Sequence, residues 1–98
     1  MPLEITIRFA KLGIMRFVSH LDLMRLLQRA LRRAGIPVAF SEGFNPHIKL
    51  KVIPALKLGV ESSDLKVVLR LKEDFENARL KDLLQNNLPI GIEILEVI

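Results

Sequence analysis

The chain has no cysteine, no tryptophan and no tyrosine among its 98 residues. Without cysteine there is no disulfide, no thiol nucleophile, no zinc site with sulfur ligands and no Cys-held iron–sulfur cluster. A metal would have to rely on His20, His47 and carboxylates, whose spacing matches no metal motif. The expectation is a protein with no metal and no other cofactor. All five aromatic residues are Phe, so the core must be aliphatic. The aromatic pairs that stack bases on an RNA-binding sheet are missing, with Phe40 and the loop residue Phe44 the only candidates. Glycines are isolated, and there is no P-loop, dinucleotide fingerprint, Gly-x-Ser-x-Gly elbow or His-Glu-x-x-His motif. No apolar run approaches the ~18 residues that a membrane-crossing helix needs, and the N-terminus shows no signal-peptide pattern. A cytoplasmic protein without membrane association is expected.

What is present points to an ordinary folded chain. Half of the residues are hydrophobic and 27% are charged, which excludes a disordered polymer. Residues 1–98 read as a single domain, large enough to bury about 65% of its unfolded surface. A net charge of +4 favours polyanionic partners.

Apolar periodicity sets out the elements. Leu3, Ile5, Ile7 and Phe9 alternate with Glu4, Thr6 and Arg8, the signature of a strand with one face in the core. Lys11-Leu12-Gly13 reads as a turn or bulge before a second short apolar run, Ile14 to Val18. A helix is predicted from about Ser19 to Ala34, with Ser19 as N-cap, Asp22 at the third helical position, and Gly35 and Pro37 as its stop. Leu23, Leu27, Ala30, Leu31 and Ala34 gather on one side of it. Pro37–Ser41 and Lys49–Ile53 read as short strands, the second confined to an edge or ended by Pro54. Leu56–Gly59 continues in extended style, Glu61–Asp64 is a loop, and Leu65–Leu71 is a strand. Leu80, Leu83, Leu84 and Leu88 mark a second helix near Asn77–Leu88, and Ile92–Ile98 closes the chain as a strand. The expected fold is α+β, a ferredoxin-like split βαβ sandwich. Two helices cover one face of a mainly antiparallel sheet, with an extra hairpin near residues 45–60.

Candidate chemistry concentrates between Arg16 and His47, which holds two histidines, two acids and five arginines. Ser19-His20-Leu21-Asp22 has the spacing of a capping box with Asp in place of Glu, which accounts for Ser19 and Asp22 but not for His20. Arg25, Arg29, Arg32 and Arg33 share a helix face, and between Leu23 and Ser41 there is no acid to neutralise them. Such a stripe is either a solvated face or a set of phosphate contacts. Arg16 and Lys11 add charge before the helix, and Lys49, Lys51 and Lys57 line the later extended segment. Gly43-Phe44-Asn45-Pro46-His47 packs a permissive glycine, an aromatic, an Asn-Pro turn and an imidazole into one loop, where binding residues are common. This loop is expected to close over the start of the helix. Ser19 and the free N–H groups of His20 and Leu21 would then form an anion-receptive pocket, with Asn45 or His47 and Arg16 completing it. The rival reading ties Asn45 and His47 to their own backbone.

Arg8-Phe9, Arg16-Phe17, Ser19-His20-Leu21-Asp22, Arg29 through Gly35, Ser41-Glu42-Gly43-Phe44-Asn45-Pro46-His47 and Leu58-Gly59-Val60-Glu61-Ser62 carry a resemblance over nearly the whole chain. The sequence resembles the radical-SAM-linked protein family, a bacterial domain of unknown function found fused to or encoded beside cobalamin-type radical SAM proteins. It departs from the family pattern at Ile48, usually a proline, and at Ala55-Leu56-Lys57, usually richer in proline. Family members tend to be longer, so residues 1–98 are expected to be the N-terminal part of a longer protein, as the apolar Ile98 also suggests.

The resemblance implies a radical SAM partner, and an RNA-related role by association. The leading functional expectation is therefore a non-catalytic module that binds RNA or another phosphate-bearing substrate for that enzyme. Its binding set would be Arg16, Ser19, His20, Asp22, Arg25, Arg29, Arg32, Arg33, Gly43, Phe44, Asn45 and His47. One alternative is a metal-independent RNA-processing enzyme with His20 and His47 as base and acid. Another is a protein-interaction module whose basic helix docks on the radical SAM partner.

Overall fold

The computed structural model describes residues 3–40, 43, 48–54 and 58–98. Its elements in chain order are β1 (Leu3–Lys11), a short 3-10 helix (Gly13–Phe17), α1 (His20–Arg33), β2 (Leu50–Ile53), β3 (Ser62–Leu71), α2 (Asn77–Gln85) and β4 (Ile92–Val97). The sheet order is β2-β3-β1-β4, and every neighbouring pair is antiparallel. Each βαβ unit is thus split by a strand of the other: β3 lies between β1 and β2, and β1 between β3 and β4. This is the interleaved α+β architecture that the element order implies.

Period-two alternation sets the register. Ile5 faces Leu69, Ile7 faces Val67 and Phe9 faces Leu65, while Leu50 and Val52 add to the same rows from β2. These residues meet Leu23, Leu27, Ala30 and Leu31 of α1 and Leu80 and Leu84 of α2 in one core cluster. Burial of these side chains drives the packing, at roughly 1.5–3 kcal/mol for each large one. At its C-terminus α1 ends as predicted. Gly35 takes φ +71, its N–H donates to Arg32 O at 3.1 Å, and Ile36 N–H donates to Leu31 O at 3.3 Å. Those two bonds satisfy carbonyls that the last turn leaves open.

Four stretches differ from, or add to, the expected elements. Of the turn or bulge expected at Lys11–Gly13, the strand takes the bulged form: β1 runs through Lys11, with register shifts against β3 between Phe9 and Lys11 and against β4 between Arg8 and Phe9. The short apolar run Ile14–Val18, which periodicity leaves unassigned, is helical over Gly13–Phe17, so that Met15 and Val18 pack on the core while Ile14 and Phe17 face outward. Of the strand expected over Pro37–Ser41, the described part, Pro37–Phe40, is not a strand: Val38 and Phe40 make single bridges, to Leu71 and Ile48, and Ser41 lies outside the described residues. Pro37 has no N–H to extend the ladder, and among the described residues two backbone bonds join this stretch to the end of β3, Lys72 N–H to Pro37 O and Ala39 N–H to Arg70 O, both 2.8 Å. Helix α2 stops at Gln85, before Leu88, and Asn87 Nδ2 donates back to Leu83 O at 2.9 Å to cap it.

Strand β3 also reaches back to Ser62, taking in most of the predicted loop. Within the expected hairpin at 45–60, the described residues form β2 and a turn at Leu58–Gly59. Residues 45–47 and 55–57 lie outside the described set.

Candidate nucleic-acid interface

The start of α1 is built by Ser19, whose Oγ accepts Asp22 N–H at 3.1 Å. Only that half of the capping box forms. The Asp22 carboxylate instead sits 3.7 Å from Arg25 Nη1, one turn on, with both side chains exposed. His20 is the first helical residue and is half-buried, lining a crevice with Lys11, Leu23, Pro54 and Leu65 that leaves no room for a ligand. The partners predicted for it, Phe44, Asn45 and His47, lie outside the described residues, as do Ser41 and Glu42. Gly43 is described: it is exposed and takes φ +118, a backbone that side chains resist.

Lys11 belongs to the core and not to a basic surface. It is 1% exposed, and its Nζ donates to Val18 O at 2.6 Å where the chain turns back after the Gly13–Phe17 helix. Burial holds its ammonium below the ordinary lysine value.

The arginine face divides into three. Arg25, Arg29, Arg32 and Arg33 are all exposed. Arg25 is taken up by Asp22. Arg33 Nη2 donates to Asn87 O at 2.9 Å, and with Arg29 it lines an open cleft of about 500 Å³ between α1 and the turn after α2. Leu26, Asn86, Asn87, Leu88 and Pro89 form the rest of the cleft wall. Among the described residues neither Arg29 nor Arg32 meets a carboxylate. Arg16 is apart from this face: its guanidinium lies over the Phe17 ring, 4.5 Å from the centroid.

Arg32 leads to a feature that sequence reasoning undervalued. Phe40 is 41% exposed, with Lys72 Nζ 4.9 Å and the Arg32 guanidinium carbon 5.8 Å from its ring centroid. An aromatic beside two cations, at the edge of an arginine face, is the combination that single-stranded nucleic acid uses for stacking and phosphate contacts. The alternation Val38-Ala39-Phe40 hints at Phe40, but Lys72 joins it through long-range pairing, the bridge of Val38 with Leu71 and the bond of Lys72 N–H to Pro37 O. A second open cleft, of about 570 Å³, has Lys49, Lys51 and Arg70 among its walls, together with Glu4, Met24 and Gln28. Lys49 and Lys51 are exposed as expected, and Lys57 lies outside the described residues.

No group of three or more metal-ligating side chains is assembled among the described residues. No described helix is long and apolar enough to cross a membrane. Residues 4–98 match the family described as an uncharacterized protein conserved in bacteria, DUF2344, and with nearly the whole chain covered the protein belongs to that family. That description assigns no reaction, ligand or partner. No curated protein and no solved structure matches the chain.

Proposed function

We propose that this member of the DUF2344 family is a non-catalytic module that holds a phosphate-bearing substrate, RNA foremost, for an enzyme of the cobalamin-type radical SAM class. The observation that carries the reading is the α1 face, where Arg25, Arg29, Arg32 and Arg33 are exposed beside a single acid, Asp22. Guanidinium groups present planar forks of N–H donors that match phosphate oxygens, and they stay charged at any physiological pH. Phe40, between Arg32 and Lys72, offers an unpaired base a stacking surface. The absence of cysteine assigns any cluster chemistry to the partner. The choice of a radical SAM partner rests on the family resemblance, and the choice of a phosphate-bearing ligand rests on this face.

The test is filter binding of a labelled oligoribonucleotide of about 16 nucleotides across a salt series. Binding should weaken steeply as salt rises, because each neutralised phosphate releases counterions. A double variant R29E/R33E should bind more weakly and flatten the salt slope by about two. No detectable binding at low salt, or binding indifferent to salt, would overturn the proposal.

A further inference from the structure

We propose that the surface formed by the Gly13–Phe17 helix and the 58–60 turn is a protein-docking site, and that its occupant is a partner segment bearing apolar side chains around one carboxylate. The inference stands on residues separate from the arginine face of α1.

Four large apolar side chains are exposed on this surface. Ile14 is 79%, Leu58 64%, Phe17 55% and Val60 42% accessible. Single exposed apolar residues are ordinary, whereas clusters of them mark interaction sites. Here the cluster is drawn together from two distant stretches of chain. Gly59 N–H donates to Arg16 O at 2.7 Å, and Gly13 N–H donates to Glu61 Oε2 at 2.7 Å. Phe17 Cε1 lies 3.8 Å from where a Cβ on Gly59 would stand, so the ring rests against the turn between Leu58 and Val60. The two hydrogen bonds hold the patch in shape before any partner arrives, which lowers the ordering cost of docking.

Arg16 fixes the chemistry of the occupant. Its guanidinium lies over Phe17, and among the described residues one of its five N–H donors is directed to a protein acceptor, Gly13 O at 3.3 Å. No carboxylate pairs with it among the described residues, and Glu61, the acid of the adjacent turn, is engaged by Gly13 N–H. A guanidinium inside an apolar patch interacts more strongly once water is excluded, and its fork is matched by a carboxylate. A second copy of the chain is a poor occupant, since a two-fold interface through this patch would bring two Arg16 side chains together, and the nearby carboxylate, Glu61, is already shared with Gly13 N–H. Nucleic acid gains nothing from Ile14, Leu58 and Val60.

The test is selection of a random-peptide phage library on the immobilised protein. Wild type should enrich peptides with one Asp or Glu set among Leu, Ile or Phe, and R16E should exchange that acid for Lys or Arg. The double variant I14D/L58D should bind the enriched peptides at least roughly tenfold more weakly. Its melting temperature and RNA affinity should remain unchanged, because both side chains are exposed and lie off α1. Failure to enrich any sequence, enrichment without acidic residues, or full binding by I14D/L58D would overturn the proposal. So would a wild-type dimer in sedimentation that I14D/L58D dissolves, or I14-dependent flotation with phosphatidylcholine–phosphatidylglycerol vesicles.

Discussion

The side-chain amide of Gln85 treats Ile94 as a strand neighbour would: its Oε1 accepts Ile94 N–H at 2.7 Å, while its Nε2 donates to Ile92 O at 2.9 Å. One and two turns earlier on α2, Lys81 Nζ donates to Leu95 O at 3.3 Å and Asn77 Nδ2 to Val97 O at 3.2 Å. Residues four apart share a helix face, so Asn77, Lys81 and Gln85 form one polar row laid along β4. Backbone groups that β1 does not pair are thereby satisfied.

Removing that amide should be costly for its size. Gln85→Ala leaves the Ile94 N–H and Ile92 carbonyl without side-chain partners, at a cost of about 1–3 kcal/mol. Gln85→Glu keeps the acceptor for Ile94 but faces the Ile92 carbonyl with a charge, and should not restore stability. Urea titration gives the energies, and amide exchange at Ile94 should accelerate in both variants.

Gly91 should tolerate no side chain, whereas Gly35 should tolerate one at modest cost. A Cβ on Gly91 would lie 2.6 Å from both Leu12 O and Met15 Cγ, with φ at +103. Leu12 cannot easily retreat, because its N–H bonds Gly91 O at 2.7 Å. Gly91→Ala should lose about 3 kcal/mol or more. Gly35→Ala meets nothing within 4 Å and carries only the left-handed backbone penalty, about 1–2 kcal/mol. Thermal melts of the two variants should separate by ten degrees or so at ~4–8 °C per kcal/mol.

Lys11 gives stability an alkaline component. Its folded-state pKa is lowered by burial from an ordinary value of 10.5. Between the lowered value and 10.5 the unfolded chain therefore binds more protons than the folded one, and stability rises with pH. Below that window the destabilisation from a buried charge is fully present. Lys11→Met should remove this rise, seen as a flatter dependence of the urea midpoint on pH in the window just under 10.5.

Phe40→Ala should lower affinity for the oligoribonucleotide about tenfold, the scale of one lost base stack. Phe40→Trp should retain it. As the ring is 41% exposed, the melting temperature should move little in either case. Unchanged affinity in Phe40→Ala would remove this ring from the interface.

The strands and helices were legible because their signals are local. Alternation over Leu3–Phe9, leucines at helical spacing in α1 and α2, and Ser19 and Gly35 at the ends of α1 each act within a few residues. Lys11 was misread for the opposite reason. A lysine two residues before a glycine looks like a turn, and its acceptor, Val18 O, comes within reach only after the Gly13–Phe17 run coils. The four arginines could be placed on one face by periodicity, but not their separate surroundings. Asn87 and Phe40 reach Arg33 and Arg32 from other parts of the fold.

The row Asn77, Lys81 and Gln85 has a consequence for assembly. Polymerisation of β-proteins proceeds through bare strand margins, where one backbone templates the next. Here the β4 margin is sealed from within by the molecule's own helix, so the sheet is a one-ended tile. Any lengthening by strand addition can occur in one direction at most, through β2, and a chain of such tiles joined margin to margin has no second bare end to continue from.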